Sequence, residues 1–537
     1  MHILSSSGST PCQVDDFNIH VENFLELLKE GIHSIESKQS SGPRFKVENF
    51  FYEELIDSYH FPLDGASDKE TMADLSQIIE GSIRPQSNNA VYNMVPQPLP
   101  ETQAAASLML LYNVNSIMDT YGGKSLLFEQ LIARFIGKLV GWDKAFGTSC
   151  SGGKVTLLYA IKSAISRICP TYINQGVTQD LVILTSEGAH YSIEHVCEFL
   201  GLGRQSVVRI PISSSNGLSN SDLTDAFLTQ IKNGKRVAAI IACGGTTLDF
   251  VCDNTETIFS TVEEIVKNHH LDYTPYLHLD SVIGWLWFSL IHDAQDFFDR
   301  FETPQKVIGK LKQVTDKFSS IHRFDSLGVD FHKNALCPYS SSFFITNEAQ
   351  FPKQKSHLAY GDLVAFTHTI ENSRSAAGIA SAWAALNSLG LNGLRNYLCQ
   401  LLESAQKLKE CFDEQENIAV LNHSSCGWEV IFNFKSSHDL VDIYSANGLH
   451  EGFYQFITSK VQKGQDIPSI SIITNFRRHY GSELGHGFIY YNMRTKLNSD
   501  ECETIIGEIL KLIVEYENEV RMGYFLIENV SFIDPIK

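Results

Sequence analysis

Between about residues 140 and 330, short apolar runs rich in β-branched residues alternate with longer stretches of helical periodicity. Four such runs lie at residues 181–184, 207–210, 237–242 and 276–279. Each run is apolar at nearly every position, as a strand buried on both faces would be, and helical stretches separate the runs. Parallel strands joined by crossover helices have this pattern. The sequence therefore predicts an α/β fold built on a mostly parallel sheet.

The regions that flank this alternation predict the domain organisation. Residues 1–100 contain one helical pattern and several prolines, and we interpret them as an N-terminal extension that wraps a partner subunit. Residues 101–375 form the predicted large domain, and residues 376–537 a smaller C-terminal α+β domain. The last helix is predicted to begin near Asn498, because Glu501 stands three residues later and completes a capping box.

Composition limits the classes of partner. The chain has 537 residues and a formal net charge of −20, which argues against nucleic acid or an anionic membrane surface but leaves an anionic substrate possible. Its 11 cysteines form no CxxC pair, so we expect reduced thiols in a cytoplasmic protein, and no motif indicates a metal site. We find no signal peptide, and the most apolar stretch, residues 282–290, is too short to span a bilayer.

A glycine-rich turn precedes one of the predicted helices. The segment 148–154 reads Thr-Ser-Cys-Ser-Gly-Gly-Lys, and Gly152 and Gly153 would let the backbone approach a ligand closely. Unpaired N–H groups at a helix N-terminus favour a phosphate group. An ordinary turn before a helix explains the glycines equally well. Lys154 would then add charge to the phosphate or face solvent.

Three further residues follow predicted strands directly. His190 could stack on a flat cofactor or move a proton, or could be a satisfied loop histidine. Cys243 begins a Cys-Gly-Gly-Thr-Thr segment that leaves room for a ligand or simply makes a tight turn. Asp280 ends an apolar strand, where a buried carboxylate needs a cation, a salt bridge or a helix N-terminus.

The lysine that would complete such a site is Lys333. It follows His332 at the end of a strand-like segment, where a solvated surface lysine is the alternative. A phosphate cradle, an aromatic ring, a carboxylate and a lysine thus occur in this order at strand ends of one α/β unit. Pyridoxal 5′-phosphate enzymes need these parts. The sequence predicts that cofactor.

The order of these motifs and their local sequences resemble those of the group II pyridoxal phosphate-dependent decarboxylases. This family includes glutamate, tyrosine, aspartate and aromatic-L-amino-acid decarboxylases. The resemblance spans roughly residues 93–522. Residues 186–193 resemble the glutamate decarboxylase branch, whereas Pro338-Tyr339 and residues 369–376 resemble bacterial tyrosine and aspartate decarboxylases. The resemblance implies the fold-type-I, aspartate aminotransferase-like architecture and a homodimer.

The resemblance also implies roles for individual residues. Lys333 would form the internal aldimine, His190 would stack on the cofactor ring, and Asp280 would pair with the ring nitrogen. The cofactor would be further contacted by four residues: Gly152 and Gly153 at the phosphate, His332 beside the lysine, and Cys243 where the family often has Thr. Tyr360 would lie on a mobile loop and return a proton to the substrate. Arg374 would meet a substrate carboxylate, the phosphate, or an interface carboxylate.

The predicted activity is decarboxylation of an acidic or aromatic L-amino acid to its amine and carbon dioxide. The alternatives are another fold-type-I reaction, such as carbon–carbon lysis or aldehyde synthesis, and a non-catalytic paralogue that acts as a binding partner. Three departures from the family pattern leave the substrate and reaction type open. Lys154 replaces a small or hydroxyl residue, Val282 replaces a small residue, and Asp330-Phe331 replaces Asn-Pro.

Overall fold

The architecture is described from a computed structural model. The structure describes residues 17–525 and 527, apart from 38–41, 48–51, 59, 61–62, 64, 213–216, 293, 348–368, 442–443 and 478–483. The described residues form two compact units. One contains residues 1–93, 436–472 and 503–530, and the other residues 94–435, 473–502 and 531–537. These divisions differ from the predicted boundaries after residues 100 and 375, and the three-domain assignment stays a prediction.

The helices are numbered in chain order, and helices α7 to α13 lie between strands β1 to β6 in the sequence. The helices are α1 Phe17–Ser37, α2 Tyr52–Ser58, α3 Asp68–Ile78, α4 Pro100–Leu111, α5 Asp119–Gly122, α6 Ser125–Leu139, α7 Gly153–Ile168, α8 Tyr172–Gln175, α9 Ser192–Phe199, α10 Asn220–Lys232, α11 Thr255–Asn268, α12 Gln295–Arg300, α13 Gln305–Lys317, α14 Phe331–Asn334, α15 Ala377–Asp413, α16 His438–Val441, α17 Ala446–Gln462 and α18 Ser499–Arg521. Three short 3₁₀ helices lie at Arg204–Ser206, Gly284–Leu290 and Ile321–Arg323.

The strands form two sheets. They are β1 Ala145–Cys150, β2 Leu181–Ser186, β3 Val207–Ile210, β4 Arg236–Cys243, β5 Tyr276–Asp280, β6 Ser326–Asp330, β7 Ser342–Asn347, β8 Ile418–Val420, β9 Glu429–Phe434, β10 Ser471–Arg477 and β11 Leu484–Tyr491. The first sheet has the order β1-β7-β6-β5-β4-β2-β3, and the second β10-β11-β9-β8. All four strands predicted from apolar runs are present as β2 to β5.

The large sheet is mostly parallel, as predicted. Strands β2 to β6 pair in parallel with one another, whereas β7 pairs antiparallel with both β6 and β1. Two antiparallel pairings in succession return β1 to the direction of β6. The carboxyl ends of β1, β2, β4, β5 and β6 therefore lie at one edge of the sheet, where open α/β sheets bind ligands.

The central strands of the sheet are buried on both faces, and β4 is the most apolar of them. Strand β4 is buried from Val237 to Cys243. The 3₁₀ helix Gly284–Leu290 after β5 is also fully buried, and the ring of Trp287 lies 4.4 Å from that of Phe250 and 5.9 Å from that of Trp428. This aromatic packing holds the segments that follow β4 and β5 in place.

The other unit gathers helices from distant parts of the chain. Tyr516 of α18 packs against Phe453 and Phe456 of α17, with both ring centroids 5.6 Å away, and its hydroxyl donates to the carbonyl of Leu449 at 2.9 Å. At the start of α18, the predicted capping box is confirmed. Asn498 and Glu501 exchange side-chain to backbone hydrogen bonds of 2.9 Å in both directions.

Gly328 of β6 lies where α7 packs closely on the sheet. A Cβ at this position would lie 2.5 Å from Thr156 Oγ1 and 3.0 Å from Thr156 Cβ. Gly328→Ala is therefore expected to lower the free energy of unfolding by about 1–3 kcal/mol, measured by chemical denaturation. Gly309→Ala in α13 is the control, since a Cβ there meets nothing within 4 Å, and a stability equal to or above the wild type is expected. Equal stabilities for the two variants would contradict this packing.

Candidate active site

The strand register brings polar residues to nearly the same level at the carboxyl edge of the sheet. Cys243 of β4 pairs with Asp280 of β5, and Asp280 pairs with Gly328 of β6. On the other side, Ser342 of β7 pairs with both Asp330 of β6 and Cys150 of β1. The motifs that sequence reasoning placed at separate strand ends are therefore neighbours in space.

The glycine turn connects β1 to α7, as predicted. Gly152 precedes the first helical residue, Gly153, and a Cβ on Gly152 would meet nothing within 4 Å. The first N–H groups of a helix have no intrahelical partner, so they are available to an anion. A Cβ on Gly153 would lie 3.0 Å from Val282 Cγ1 and 3.3 Å from Asp330 Oδ2. Gly153 thus allows α7 to begin directly against the strand ends.

His190 is held in one orientation by its own turn. Its Nδ1 lies 2.7 Å from Ser192 Oγ and accepts a 3.2 Å bond from the backbone N–H of Ser192. Nδ1 is therefore unprotonated, and the neutral ring carries its hydrogen on Nε2. Burial, reinforced by the charges of Lys333, Lys154 and Arg209, lowers the pKa of His190 to about 4. The ring is a neutral, flat surface at physiological pH, which suits stacking.

Asp280 ends β5 with an unsatisfied buried oxygen. Its Oδ1 has no hydrogen-bond partner among the described residues. Burial raises the pKa of Asp280 to about 6, although the charge of Lys333 lowers it in part. A buried carboxyl without a donor is costly, and a cationic N–H facing it would remove that cost.

Lys333 lies in the four-residue helix α14, directly after β6. Its Nζ is 3.1 Å from Asp330 Oδ2, and the Lys333 side chain is one quarter exposed whereas that of Asp330 is 1% exposed. His332 packs beside this pair, with Nε2 3.6 Å from Asp330 Oδ2 and its ring 4.2 Å from that of Tyr339. Burial lowers the pKa of His332. The amine therefore reaches the site while its neighbours stay buried.

Cys243 and Val282, which were also singled out in the sequence, border the same site. The Sγ of Cys243 lies 3.2 Å from Ser186 Oγ, and burial raises the pKa of the Cys243 thiol well above its usual value, so it stays protonated. Val282, two residues after Asp280, is buried, and its Cγ1 lies 3.0 Å from the position of a Cβ on Gly153. The valine side chain thus narrows the region between the glycine turn and β5.

These side chains surround one cavity of about 1090 Å³. Its lining includes all the predicted cofactor-binding residues, namely Gly152, Gly153, His190, Cys243, Asp280, His332 and Lys333. A volume of this size accommodates a cofactor together with a small substrate. The structure therefore brings the separate sequence motifs into one site. The catalytic and cofactor roles of these residues stay predictions.

Two further sequence predictions concern Tyr360 and Arg374. Tyr360 lies outside the described residues, and its proposed role stays a prediction. Arg374 does not line the cavity. It is buried against Glu129, with Nη1 2.8 Å from Oε1, and it donates a 2.7 Å bond to the carbonyl of Ser149. Glu129 in turn accepts the N–H of Ser149 at 2.7 Å. This pair anchors the end of β1 that leads into the glycine turn.

Glu129→Gln is expected to lower the free energy of unfolding by about 3–5 kcal/mol, because the buried Arg374 guanidinium loses its counter-charge. Denaturant titration followed by circular dichroism measures this loss. Glu198→Gln is the control, since its pair with Arg204 is more than half exposed and contributes at most about 1 kcal/mol. A Glu129→Gln protein as stable as Glu198→Gln would show that the buried pair does not hold β1.

Sequence reasoning missed the role of Asp330 and the charges around the cavity. It treated Asp330 only as a departure from a family pattern, although an acid three residues before a lysine pairs readily when a helix turn joins them. Arg209 also lines the cavity, yet Glu194 neutralises it at 2.6 Å and the carbonyl of Ala189 accepts from it at 2.7 Å. No local motif signals that pairing.

Comparison with protein families gives a match to the pyridoxal-dependent decarboxylase conserved domain over residues 53–288. That range contains Gly152, His190 and Asp280 but ends before Lys333. Human cysteine sulfinic acid decarboxylase is 27% identical over 188 residues, which are 34% of this chain and 36% of that protein. L-tyrosine decarboxylase of Enterococcus faecium is 24% identical over 351 residues, covering 60% of this chain and 56% of that protein. The matched stretches thus span about a third to just over half of these curated relatives.

Solved structures confirm the predicted fold. Mouse CSAD in apo form superposes with a TM-score of 0.74 at 18% identity, covering 92% of this chain and 99% of that one. Oryza sativa TDC with PLP gives a TM-score of 0.71 at 13% identity, covering 95% and 99%. At these identities the likeness establishes the architecture alone. The fold is that of the pyridoxal phosphate-dependent decarboxylases of fold type I.

Proposed function

Because residues 53–288 match the pyridoxal-dependent decarboxylase conserved domain, we propose that this chain decarboxylates an L-amino acid to the corresponding amine and carbon dioxide. The observation that carries this proposal is the position of Lys333. The lysine lies outside the stretch that matches the family domain, yet its amine lines the same cavity as His190 and Asp280.

The residues present fit pyridoxal 5′-phosphate. The buried Asp280 Oδ1 needs a donor, and a protonated ring nitrogen would supply one. The open space at Gly152 and the N-terminus of α7 suit a phosphate, and the primary amine of Lys333 suits an aldehyde. This fit supports the cofactor independently of the family match.

Each side chain then has a task that follows from its surroundings. The bound cofactor would supply an electron sink for the carbanion that remains when carbon dioxide leaves. Asp280 would keep the ring nitrogen protonated by its charge. The neutral ring of His190 would hold the cofactor plane by stacking without repelling the cationic ring. Gly152 and Gly153 would present backbone N–H groups to the phosphate, and Lys333 would hold the aldehyde covalently and accept it back after each turnover.

The substrate class we propose is an acidic or aromatic amino acid. Among the described residues, Lys154 lines the cavity with its Nζ 3.2 Å from His195 Nδ1, and no carboxylate lies within 4 Å of it. Its charge is therefore available to a substrate carboxylate, which favours an acidic substrate. The same cavity is also lined by Phe476, Leu248 and Tyr191, which would contact an aromatic one.

The test is incubation of the cofactor-loaded protein with single L-amino acids, with carbon dioxide and the organic product measured together. Equal amounts of carbon dioxide and amine from one amino acid support the proposal. An aldehyde product would indicate the alternative fold-type-I chemistry, and a bound cofactor without turnover on any amino acid would indicate a non-catalytic paralogue. If the substrate is acidic, Lys154→Gln raises its KM and leaves that of aromatic amino acids unchanged.

We also propose that the chain is a homodimer. Large apolar side chains are exposed on and beside α4 and α6, namely Leu108, Leu110, Tyr112, Leu127 and Leu131. Exposed large apolar side chains of this kind favour association. Light scattering that gives the mass of two chains would support the dimer, whereas the mass of one chain would contradict it. A cytoplasmic location is part of the same proposal, supported by ten described cysteines that form no disulfide.

A further inference from the structure

Two carboxylates face Lys333, and they differ in their contact with it. Asp330 Oδ2 lies 3.1 Å from Nζ and forms an ion pair, whereas Asp280 acts on the lysine by its charge without a direct hydrogen bond. Asp280 Oδ1 has no hydrogen-bond partner among the described residues. Asp330 Oδ1 is likewise unpartnered, so each carboxylate keeps one unpaired oxygen, but of the two only Asp330 contacts the lysine directly.

The backbone around Asp330 fixes its carboxylate firmly. Its carbonyl accepts a 3.1 Å bond from Trp285 Nε1, and the next N–H, of Phe331, donates to Ser341 at 2.8 Å. Asp330 also pairs with Ser342 of β7, which holds the backbone of Asp330 in the sheet. Only the carboxylate extends into the cavity, next to Gly153, and Lys333 follows it by one helical turn.

The ion pair with Asp330 affects how Lys333 attaches to the cofactor aldehyde. An ammonium ion has no lone pair, so Lys333 must lose one proton before its nitrogen can bond to an aldehyde carbon. The aldehyde oxygen then takes the two remaining N–H hydrogens and departs as water, which leaves a C=N bond, and the proton lost first goes to solvent. We propose that Asp330 is a positioning residue for Lys333, which holds Nζ at the cofactor site as an ammonium ion and opposes the loss of the proton that must leave before attachment. This inference rests on the proposed function, because it concerns the same cofactor.

The neighbouring charges support this assignment. Burial lowers the pKa of Lys333, but Asp330 and then Asp280 outweigh burial and raise it above its usual value. Tyr339 also raises it. Among the described residues, the other titratable groups near Asp330 are His332 at 3.6 Å, the neutral ring of His190 and the protonated thiol of Cys150. Asp330 is the carboxylate in direct contact, so removing its charge should change the protonation of Lys333 more than any other single neutralisation.

The first test is the rate at which cofactor-free protein acquires its visible absorption band on addition of pyridoxal 5′-phosphate, measured across pH. In Asp330→Asn the pH midpoint is expected to fall by at least about one unit, so that attachment near neutral pH is about tenfold faster. Asp330→Glu keeps the charge and is expected to keep the wild-type midpoint. Asp249→Asn, which removes another carboxyl that lines the cavity, is the matched control and leaves the midpoint unchanged.

The outcomes separate this inference from the proposed function. A wild type that never develops a band would contradict the cofactor, whereas a band with the same midpoint in wild type and Asp330→Asn would overturn the role of Asp330 alone. A second measurement needs neither variant nor cofactor. In the cofactor-free wild type, labelling of Lys333 by a small amine reagent, followed by mass spectrometry, should show a midpoint above that of an ordinary lysine. A midpoint below it would overturn the inference.

Discussion

Replacing Lys333 with Ala is expected to abolish the visible absorption band of the cofactor-loaded protein and to lower turnover by more than about 10³-fold. Lys333 brings its amine into the cavity that also contains His190 and Asp280, and alanine leaves no nucleophile at that point. Absorption spectra and carbon dioxide release from the two proteins measure the effect. Fold integrity is checked by circular dichroism, since Lys333 forms an ion pair with Asp330 at the end of β6.

Lys154→Gln provides the matched control for the band. Lys154 is the other lysine that lines the cavity, and it begins α7 beside the glycine turn. The band should persist in this variant because its ammonium contacts His195 and not Asp330. A band that survives in Lys333→Ala but is lost in Lys154→Gln would contradict the assignment of the covalent lysine.

Asp280→Asn is expected to reduce turnover by about 10²–10³-fold while leaving the cofactor bound. An amide cannot keep a ring nitrogen protonated by charge, and loss of one preorganised electrostatic contact in a buried site costs rates of this order. The measurement is kcat at saturating cofactor, with the band position recorded for the same samples. An unchanged kcat would contradict the role of Asp280.

The same substitution should act in the opposite direction on the stability of the cofactor-free protein. The pKa of Asp280 is 3.8 in the unfolded chain and about 6 when folded, mainly because of burial. Between these values the folded protein keeps a proton that the unfolded chain releases, so stability falls as pH rises from about 4 to 6. Asp280→Asn avoids this loss. It should be more stable than the wild type by about 1–3 kcal/mol above pH 6 and equal to it below pH 4. Denaturation at several pH values tests this.

The sequence predicted the large sheet well because its signals are local. Strands β2 to β5 are mostly apolar runs. His190, Cys243 and Asp280 lie at or just after the ends of β2, β4 and β5, whereas Gly152 follows β1 and Lys333 follows β6. Parallel pairing then places those motifs at one edge without further information. This is why Gly152, His190, Asp280 and Lys333 could be assigned to one site before their distances were known.

The sequence could not predict features that depend on contacts between distant segments. Arg374 pairs with Glu129 across 245 residues, and neither side chain carries a motif that would select it over the cofactor phosphate. The two compact units also combine three separate stretches each, which a linear division at residues 100 and 375 does not capture. The contact between Asp330 and Lys333 was open to prediction from spacing alone, but its meaning depends on Asp280 having no such contact.

The most direct test of the account is reduction of the cofactor-loaded protein with borohydride, followed by peptide mass spectrometry. A pyridoxyl phosphate group is expected on Lys333 at full occupancy, and none is expected on Lys154. Modification at another lysine, with Lys333 unmodified, would contradict the central claim that the cavity at the ends of β5 and β6 holds the cofactor through this residue.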